Sequence, residues 1–263
     1  MRLILFSVIT LLWMSCSPQK ENAVFDPWPA FSSMEIARKE APLNISKIEK
    51  LYLSYLKDTV MTKNPTINEQ ITKAIAEAKV DNKTHVQSQV ISKTLQLFFF
   101  RELSAGLLEL TGLDKKTYAT TIRRIRSLYA CLQPTVIRRS EWVNRGRELD
   151  DICLNEIVRL ESQPSEPLQS EAASSLEGTL VYVYALSVMY EMDGIEKHRG
   201  KDPKICEEKV AEARIFFEII RRHLTAKPLE EAINKLLQSG FEDMDTEAVR
   251  GMMEDAFPEF DFE

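Results

Sequence analysis

Glycine, histidine and cysteine are scarce in this sequence, and each shortage excludes a class of site. The eight glycines are scattered, so the chain has neither a glycine-rich phosphate-binding loop nor the G-x-S-x-G turn of a serine hydrolase. None of the three histidines follows a glutamate at the spacing that di-iron bundles use. The four cysteines include no C-x-x-C pair. No catalytic motif is therefore recognisable, and no cofactor is predicted.

The sequence also lacks the alternation of apolar and polar residues that is typical of strands. It has no excess of positive charge either. The net charge is −6, which argues against non-specific nucleic-acid binding, so no nucleic-acid partner is expected. Apolar residues make up 44% of the 263 positions, as in an ordinary globular protein that can build a core without disulfides or metals. Composition therefore favours a helical globular protein.

Two long apolar stretches, residues 91–110 and 176–195, dominate what is present. Each is apolar on most faces of a helix, which is typical of a helix buried among other helices. In the second stretch, Tyr182, Leu186, Met189 and Met192 recur at helical spacing and are expected to face the core. The Phe98–Phe100 cluster of the first stretch is likewise interpreted as core. We expect the two helices to pack close together.

Each apolar stretch is followed by a break and then by a second helical segment, at residues 118–137 and 204–223. This order suggests a helical hairpin that is used twice by duplication. Any two buried helices share an apolar pattern, however, and literal identity between the stretches is sparse. The predicted fold is all-α, a helical bundle or stacked α-hairpins.

Residues that start or stop helices place several helix ends. Asn44 and Asp202 are predicted N-caps, and Pro203 then takes the first helical position. Thr66 is expected to begin a helix through a capping box, and Ser140 to cap the next helix after residues 118–137. Pro134 should kink or end the helix that contains it.

The first residues of the chain carry its most specific pattern. Arg2 gives a short positive region, residues 3–14 are apolar but too short to span a membrane comfortably, and Ser15 and Cys16 follow. This resembles a bacterial lipoprotein signal, which is cut before a cysteine that then receives lipid. The pattern usually has leucine three residues before the cysteine, where this chain has Trp13. The alternatives are an ordinary secretory signal and an uncleaved anchor.

The resemblance covers about 17 residues and implies a domain organisation. Residues 1–15 would be the signal peptide, 16–43 the lipidated N-terminus and a proline-containing tether, 44–240 the helical domain, and 241–263 an acidic C-terminal tail. Trp28 and Phe31 could instead dock on the domain. Acyl chains on Cys16 would anchor the protein to the membrane of a bacterial cell envelope, facing the periplasm or the cell exterior. No family is recognised for the mature domain.

Glu191 and His198 are the weak candidates for a metal site, at the end of the second apolar stretch. Carboxylate and imidazole groups suit several divalent metals. The favoured interpretation is a solvated C-terminal helical turn, so no metal is predicted. Glu191 differs from its neighbours because apolar residues flank it, which indicates partial burial and the need for a partner.

Cys131 and Cys153 lie near the ends of successive predicted helices, so an antiparallel pair could bring them together as a disulfide. The alternative is that the cysteines are buried small apolar residues.

Charge is distributed unevenly along the chain. A basic segment at 115–147 contains Lys115, Lys116, Arg123, Arg124, Arg126, Arg138, Arg139, Arg145 and Arg147. The last 23 residues are acidic and contain Phe257, Phe260 and Phe262. Basic helices could face anionic head groups or a protein partner, and the acidic tail could be a partner-binding segment. The favoured interpretation is that the basic helices present solvated faces and that the tail is a loose terminus.

Two functions are consistent with these patterns. The first is a lipid-anchored helical binding or scaffold protein of the bacterial envelope, without enzymatic activity. The second is a small-molecule or metal-binding helical bundle that serves uptake or storage. An enzyme has no motif in its favour.

Overall fold

The computed structural model describes residues 25–80, 84–260 and 262, and these residues contain helices and no strand. The all-α prediction is confirmed. A π-helical turn, Tyr52–Leu56, joins α2 to α3, and a 3₁₀ turn, Arg221–His223, follows α9. The α-helices are α1 Trp28–Arg38, α2 Ile45–Leu51, α3 Lys57–Lys63, α4 Pro65–Val80, α5 Thr84–Leu108, α6 Lys115–Trp142, α7 Glu148–Glu161, α8 Glu166–His198, α9 Pro203–Ile220, α10 Lys227–Leu237 and α11 Thr246–Ala256.

The two apolar stretches form α5 and α8, and both are buried round most of their circumference. Phe98, Phe99 and Phe100 are almost fully buried, as is Leu186. The two helices meet where the rings of Phe100 and Tyr184 lie edge to face, with centroids 5.7 Å apart. The predicted core positions are therefore confirmed, because apolar residues on every face of a helix can leave water only inside the bundle.

Two helical hairpins, α5–α6 and α8–α9, form as the sequence predicts. They also pack crosswise, α5 against α9 and α6 against α8. Duplication of one hairpin would explain this arrangement, and it stays a prediction.

α8 is, within the described residues, the one helix that is long and apolar enough to cross a membrane. Of its most apolar window, 67% is buried inside the fold, against α7, α9 and α11. This burial is typical of a core helix.

The first described residues belong to the folded domain, so the predicted boundary at residue 44 is wrong. α1 packs on the bundle through Phe31, Met34 and Ala37, and the ring of Phe31 lies 5.2 Å from that of Phe99. Apolar residues at helical spacing give this segment a face to bury, which outweighs the loop-forming tendency of its prolines. The predicted signal, Cys16 and the start of the tether lie outside the described residues.

The C-terminal segment is also folded, which corrects the prediction of an acidic tail from residue 241. Met244, Val249, Met253 and Phe257 are buried, and α11 packs against α8. Phe260 and Phe262 contact the ring of Tyr182, with centroids 4.9 and 6.2 Å away. The phenylalanines expected to bind a partner are therefore engaged within the chain, while Glu259 between the first two of them is exposed.

Asn44 and Asp202 cap α2 and α9 as predicted, each accepting backbone N–H groups of the first turn. Two other predicted caps are wrong. Asn64, rather than Thr66, accepts the N–H of Ile67 at the start of α4.

Ser140 lies inside α6 and accepts the N–H of Leu149, because α6 continues through Pro134 to Trp142. Leu132 and Val136 are fully buried on either side of the proline. Their packing offsets the backbone hydrogen bond that proline removes.

Candidate functional site: a buried charge cluster

Five charged side chains from four helices meet inside the bundle, and we call them the charge cluster. α5 contributes Lys93, α6 Arg139, α8 Glu191, and α9 Lys209 and Glu212. Lys93, Arg139, Glu191 and Glu212 are between 0% and 6% exposed. Charged groups are almost never buried without partners, because the loss of hydration is costly. Each must therefore find its compensation within the cluster.

Glu191 is the centre of the cluster. Arg139 Nη2 donates to Glu191 Oε1 at 2.9 Å, and Lys209 Nζ lies 2.7 Å from Glu191 Oε2. Arg139 Nε also donates to Ser187 Oγ, one turn before Glu191 on α8, at 3.0 Å. The guanidinium carbon of Arg139 lies 3.9 Å from the ring centroid of Tyr190. Arg139 is thus fixed by hydrogen bonds on one side and by a cation–π contact on another.

Gly194 provides the space through which Lys209 reaches Glu191. A Cβ at Gly194 would lie 2.8 Å from Lys209 Cδ, which is closer than side-chain atoms normally approach. Because Gly194 lies three residues after Glu191 on α8, both occupy one face of that helix. The absence of a side chain there allows the lysine stem to cross α8.

The pKa values of Glu191 and Glu212 are shifted in opposite directions. Burial and the nearby carboxylate of Glu212 raise the pKa of Glu191 to about 7, against the pull of Lys209 and Arg139. Burial also opposes ionisation of Glu212, but Lys93 and Lys209 outweigh it and hold its pKa below the usual value. Two carboxyl groups this close cannot both ionise easily. As pH falls, Glu191 therefore takes up a proton before Glu212 does.

The buried positive charge of Lys93 is compensated less completely than the charges of the other cluster members. Its Nζ lies 3.8 Å from Glu212 Oε2 and 5.3 Å from the ring centroid of Phe216. Burial lowers the pKa of Lys93, Glu212 opposes this, and Arg138 lowers it further. A lysine in such surroundings is more easily deprotonated than one in water.

α1 adds a second ion pair beside the cluster. Arg38 Nη2 donates to Glu35 Oε2 at 2.8 Å. Burial opposes the charge of Glu35, but its hydrogen bond and ion pair with Arg38 hold its pKa at about 2. Because α1 starts at residue 28, the charge pattern of the bundle includes a segment that the sequence assigned to a tether.

Two further hydrogen-bond networks lie between α5, α6, α7 and α8. The first is uncharged, and the second includes a carboxylate. Thr135 Oγ1 and the Tyr184 hydroxyl both donate to Gln96 Oε1, at 3.1 and 3.3 Å. Earlier on α6, the Tyr129 hydroxyl and Gln133 Nε2 donate to Asp150 of α7, at 2.7 and 2.9 Å. These hydrogen bonds fix the register of the long helices where apolar packing alone would allow sliding.

The surroundings of Glu191 do not favour a metal ion. No group of metal-binding side chains occurs within residues 25–80, 84–260 and 262. The oxygens of Glu191 already face Arg139 and Lys209, and those positive charges would repel a cation. His198 lies seven residues further along α8, about 10 Å along the helix axis. Glu191 and His198 are therefore not brought together.

Cys131, Cys153 and Cys206 are free thiols, so the disulfide between Cys131 and Cys153 is not formed in this structure. Both side chains are buried, as is Cys206. Burial raises the pKa of the Cys153 thiol to about 12 and raises that of Cys131 further. They behave as small apolar residues.

Sequence reasoning named Glu191 and Arg139 but missed Lys93, Lys209 and Glu212 as members of one cluster. A signal for Lys93 was available, since it stands inside an apolar run, as Glu191 does. Lys209 and Glu212 lie on an amphipathic helix that carries several other charged residues, most of them partly exposed, so nothing in the sequence separates them from solvated neighbours.

A groove of about 510 Å³ lies between α4, α5 and α9, next to the cluster but lined by none of its members. Its walls combine the apolar residues Val90, Leu97 and Ile215 with the charged residues Lys73, Glu77, Arg214 and Glu218.

No protein-family model, curated protein or solved structure matches this chain.

Proposed function

We propose that this chain is a lipid-anchored helical binding or scaffold protein of the bacterial envelope. The observation that carries the proposal is the apolar stretch at 3–14 followed by Ser15 and Cys16. Cys16 would receive the acyl chains, and the bundle would be displayed from the membrane into the periplasm or to the cell exterior.

The position of the folded domain supports this organisation. Phe25 already packs against the core, and it follows Cys16 by nine residues. A fully extended chain spans at most about 3.6 Å per residue, so the domain would begin within about 30 Å of the anchor. A protein held so close to a bilayer is suited to binding partners at or near the membrane surface.

The charge cluster supports a binding role more than a catalytic one. Its carboxylates are paired with buried cations, and the groove beside it is lined by none of its five members. A catalytic group must reach its substrate within hydrogen-bond distance. The cluster instead joins α5, α6, α8 and α9 and would hold the bundle rigid for display.

Replacement of Cys16 tests the proposal directly. In cells fed labelled palmitate, the wild-type chain should incorporate label and fractionate with membranes. Cys16→Ala should lose the label and either enter the soluble fraction or accumulate as an unprocessed precursor. Cys206→Ser serves as the matched control and should keep both properties, since Cys206 is buried in the bundle. Unchanged labelling and membrane retention in Cys16→Ala would contradict the proposal.

The groove between α4, α5 and α9 favours a second candidate, a small-molecule-binding bundle that serves uptake or storage. Its volume and mixed lining are within the range of ligand pockets. Ala211 lies on its wall, so Ala211→Trp would fill it. A compound that raises the melting temperature of the wild type but not that of Ala211→Trp would support this candidate. A screen in which every stabilising compound acts equally on both proteins would contradict it.

A further inference from the structure

We infer that the domain docks on the anionic membrane surface with the N-terminal half of α6 facing the bilayer, and with the acidic C-terminal segment pointing away. The inference rests on the proposed lipid anchor and adds an orientation and a partner chemistry to it. Three features of the described residues carry it: where the N-terminal chain joins the bundle, which cations are available there, and where the acidic segment lies.

The N-terminal chain joins the bundle on α6. Ser127 donates a hydrogen bond to Asp26, and α1 then packs against α6 and α5. Trp28, two residues after Asp26, is 36% exposed. Because only residues 17–24 separate Cys16 from the described domain, the surface around Ser127 cannot lie far from the anchored acyl chains. The anchor therefore restricts which face of the bundle can meet the bilayer.

The outer face of α6 before Ser127 is open and basic, and we call Lys115, Lys116 and Arg123 its basic face. All three are exposed. Within the described residues, none of the three has a carboxylate partner. Arg123 donates to the Ala119 carbonyl and to Thr120. Cations held near an anionic leaflet are attracted by its surface potential over about a Debye length.

Two exposed apolar side chains flank the N-terminal half of α6. Leu108, at the end of α5 and seven residues before Lys115, is 80% exposed. Trp28 lies beside the attachment point and has an aromatic ring of the kind that prefers the membrane interface. An exposed apolar residue next to cations is the combination by which proteins rest on anionic bilayers.

The remaining charges at this end are mostly engaged. Arg124 and Arg126 pair with Glu109 and Glu161, so they add little net charge. Asp114 accepts the N–H groups of the first turn of α6, but its carboxylate stays charged and opposes the positive charge of Lys115 and Lys116. Glu166, in the first turn of α8, is exposed and lowers the positive potential of this end. The orientation is therefore decided by the contrast between the two ends of the molecule.

The opposite end is strongly acidic. The last 22 residues hold nine carboxylates and one arginine. This segment packs on the second half of α8, where Thr246 and Arg250 bond to Glu196. Since Glu191 lies opposite Arg139, which is 24 residues after Lys115, that half of α8 is about 36 Å from the start of α6 along the axis. An anionic bilayer repels this end and attracts the basic face. The molecule therefore orients with the basic face towards the bilayer and the acidic segment away from it.

Two tryptophans allow the orientation to be measured in the lipidated full chain. Processing before Cys16 would remove Trp13, so only Trp28 and Trp142 would remain. Trp28 lies two residues after Asp26, which is bonded to Ser127 one turn after Arg123, and Trp142 lies at the far end of α6, edge to face with Tyr190. Trp142→Phe therefore leaves Trp28 as the single reporter, and Trp28→Phe leaves Trp142.

The experiment measures fluorescence quenching in vesicles of equal parts phosphatidylglycerol and brominated phosphatidylcholine. Trp28 should be quenched several-fold more than Trp142, and high salt should remove most of the difference. Replacing phosphatidylglycerol by neutral lipid should have the same effect as high salt.

Charge reversal separates docking from mere attachment, since a short chain alone would keep Trp28 near the bilayer. Lys115→Glu, Lys116→Glu and Arg123→Glu combined should abolish most of the Trp28 quenching. The matched control reverses three exposed lysines at the far end, Lys197, Lys201 and Lys204, and should leave the quenching unchanged. Circular dichroism checks that both triple variants keep their helical content.

The outcomes distinguish this inference from the proposal on which it rests. If mass analysis finds no lipid on Cys16, the anchor and the orientation are both wrong. Lipidated Cys16 together with equal quenching of Trp28 and Trp142 would support the anchor and contradict the orientation. The same conclusion would follow if neither high salt nor charge reversal changed the quenching of Trp28.

Discussion

Arg139 on α6 and Glu191 on α8 form an ion pair with nitrogen and oxygen 2.9 Å apart, and neither side chain is more than 5% exposed. The two residues are 52 positions apart in the sequence, so the pair joins helices that are distant along the chain. Its cost in hydration is offset only because Lys209, Ser187 and Tyr190 complete the surroundings of the two groups. The first prediction follows from that dependence.

Removal of one partner should be far more harmful than removal of both. Arg139→Met leaves the Glu191 carboxylate buried with one cation fewer, which should lower the free energy of unfolding by about 3–5 kcal/mol. The double variant Arg139→Met, Glu191→Leu should recover most of that loss. Urea denaturation measures all three proteins. Arg159→Met, which breaks partly exposed pairs with Glu156 and Glu171, is the control and should cost less than about 1 kcal/mol. A loss in Arg139→Met no larger than that of the control would contradict the prediction.

The raised pKa of Glu191 predicts a loss of stability as pH rises towards neutrality. Its pKa is about 7 in the folded protein and 4.5 ordinarily. The folded state therefore binds more protons between these values, so the contribution is fully present below pH 4.5 and is lost as pH rises through 7. Glu35 and Glu212 have the opposite sign, and their contributions are lost only as pH falls below 4.5. Glu191→Gln should flatten the profile between pH 5 and 7.

Comparison of the wild type with Glu191→Gln isolates this effect. Burial also lowers the pKa of His223, which makes stability rise with pH over part of the same range. That contribution is common to both proteins and cancels in their difference. Parallel pH profiles for the two proteins would show that Glu191 does not titrate in this window.

The core of α8 should be sensitive to a cavity. Leu186 is fully buried, and Leu186→Ala should cost about 2–5 kcal/mol and lower the melting temperature by several degrees. Lys201→Ala, on the exposed turn after α8, should leave the melting temperature nearly unchanged. Calorimetry that finds the same melting temperature for Leu186→Ala and the wild type would mean that α8 is not a core helix.

The acidic C-terminal segment should contribute to the stability of the bundle. Phe257 is 3% exposed and stacks on Phe260 with centroids 5.2 Å apart. Phe257→Ala should cost about 3–5 kcal/mol. Glu259→Ala, two positions further and exposed, should be neutral. Equal denaturation midpoints for the two variants would show that the segment is not packed as described.

The three thiols of the bundle should be unreactive until the protein unfolds. Cys131, Cys153 and Cys206 are free and buried, and burial raises the pKa of each. Little thiolate therefore forms near neutral pH. A chromogenic thiol reagent should label none of them in the native protein and all three in guanidinium. Mass mapping that joins Cys131 to Cys153 would contradict this and support the disulfide.

Apolar patterning along the chain determined the fold class and the buried helices. An unbroken apolar run such as Val181–Leu186 has no polar face, so only the inside of a bundle can satisfy it. Caps at Asn44 and Asp202 were also predictable, because their hydrogen bonds join residues two or three positions apart. Such contacts depend on local sequence alone.

Tertiary structure decided which charges are buried and which segments belong to the domain. Lys209 and Glu212 look like solvated residues in the sequence, and only the crosswise packing of the two hairpins brings them and Lys93 together with Glu191. The same holds for α1 and the C-terminal phenylalanines, whose weak local patterns gain their stability from partners on distant helices. Sequence records which groups must avoid water or find a partner. The partner itself is set by contacts between residues far apart in the chain, whose energies appear only once the helices are packed.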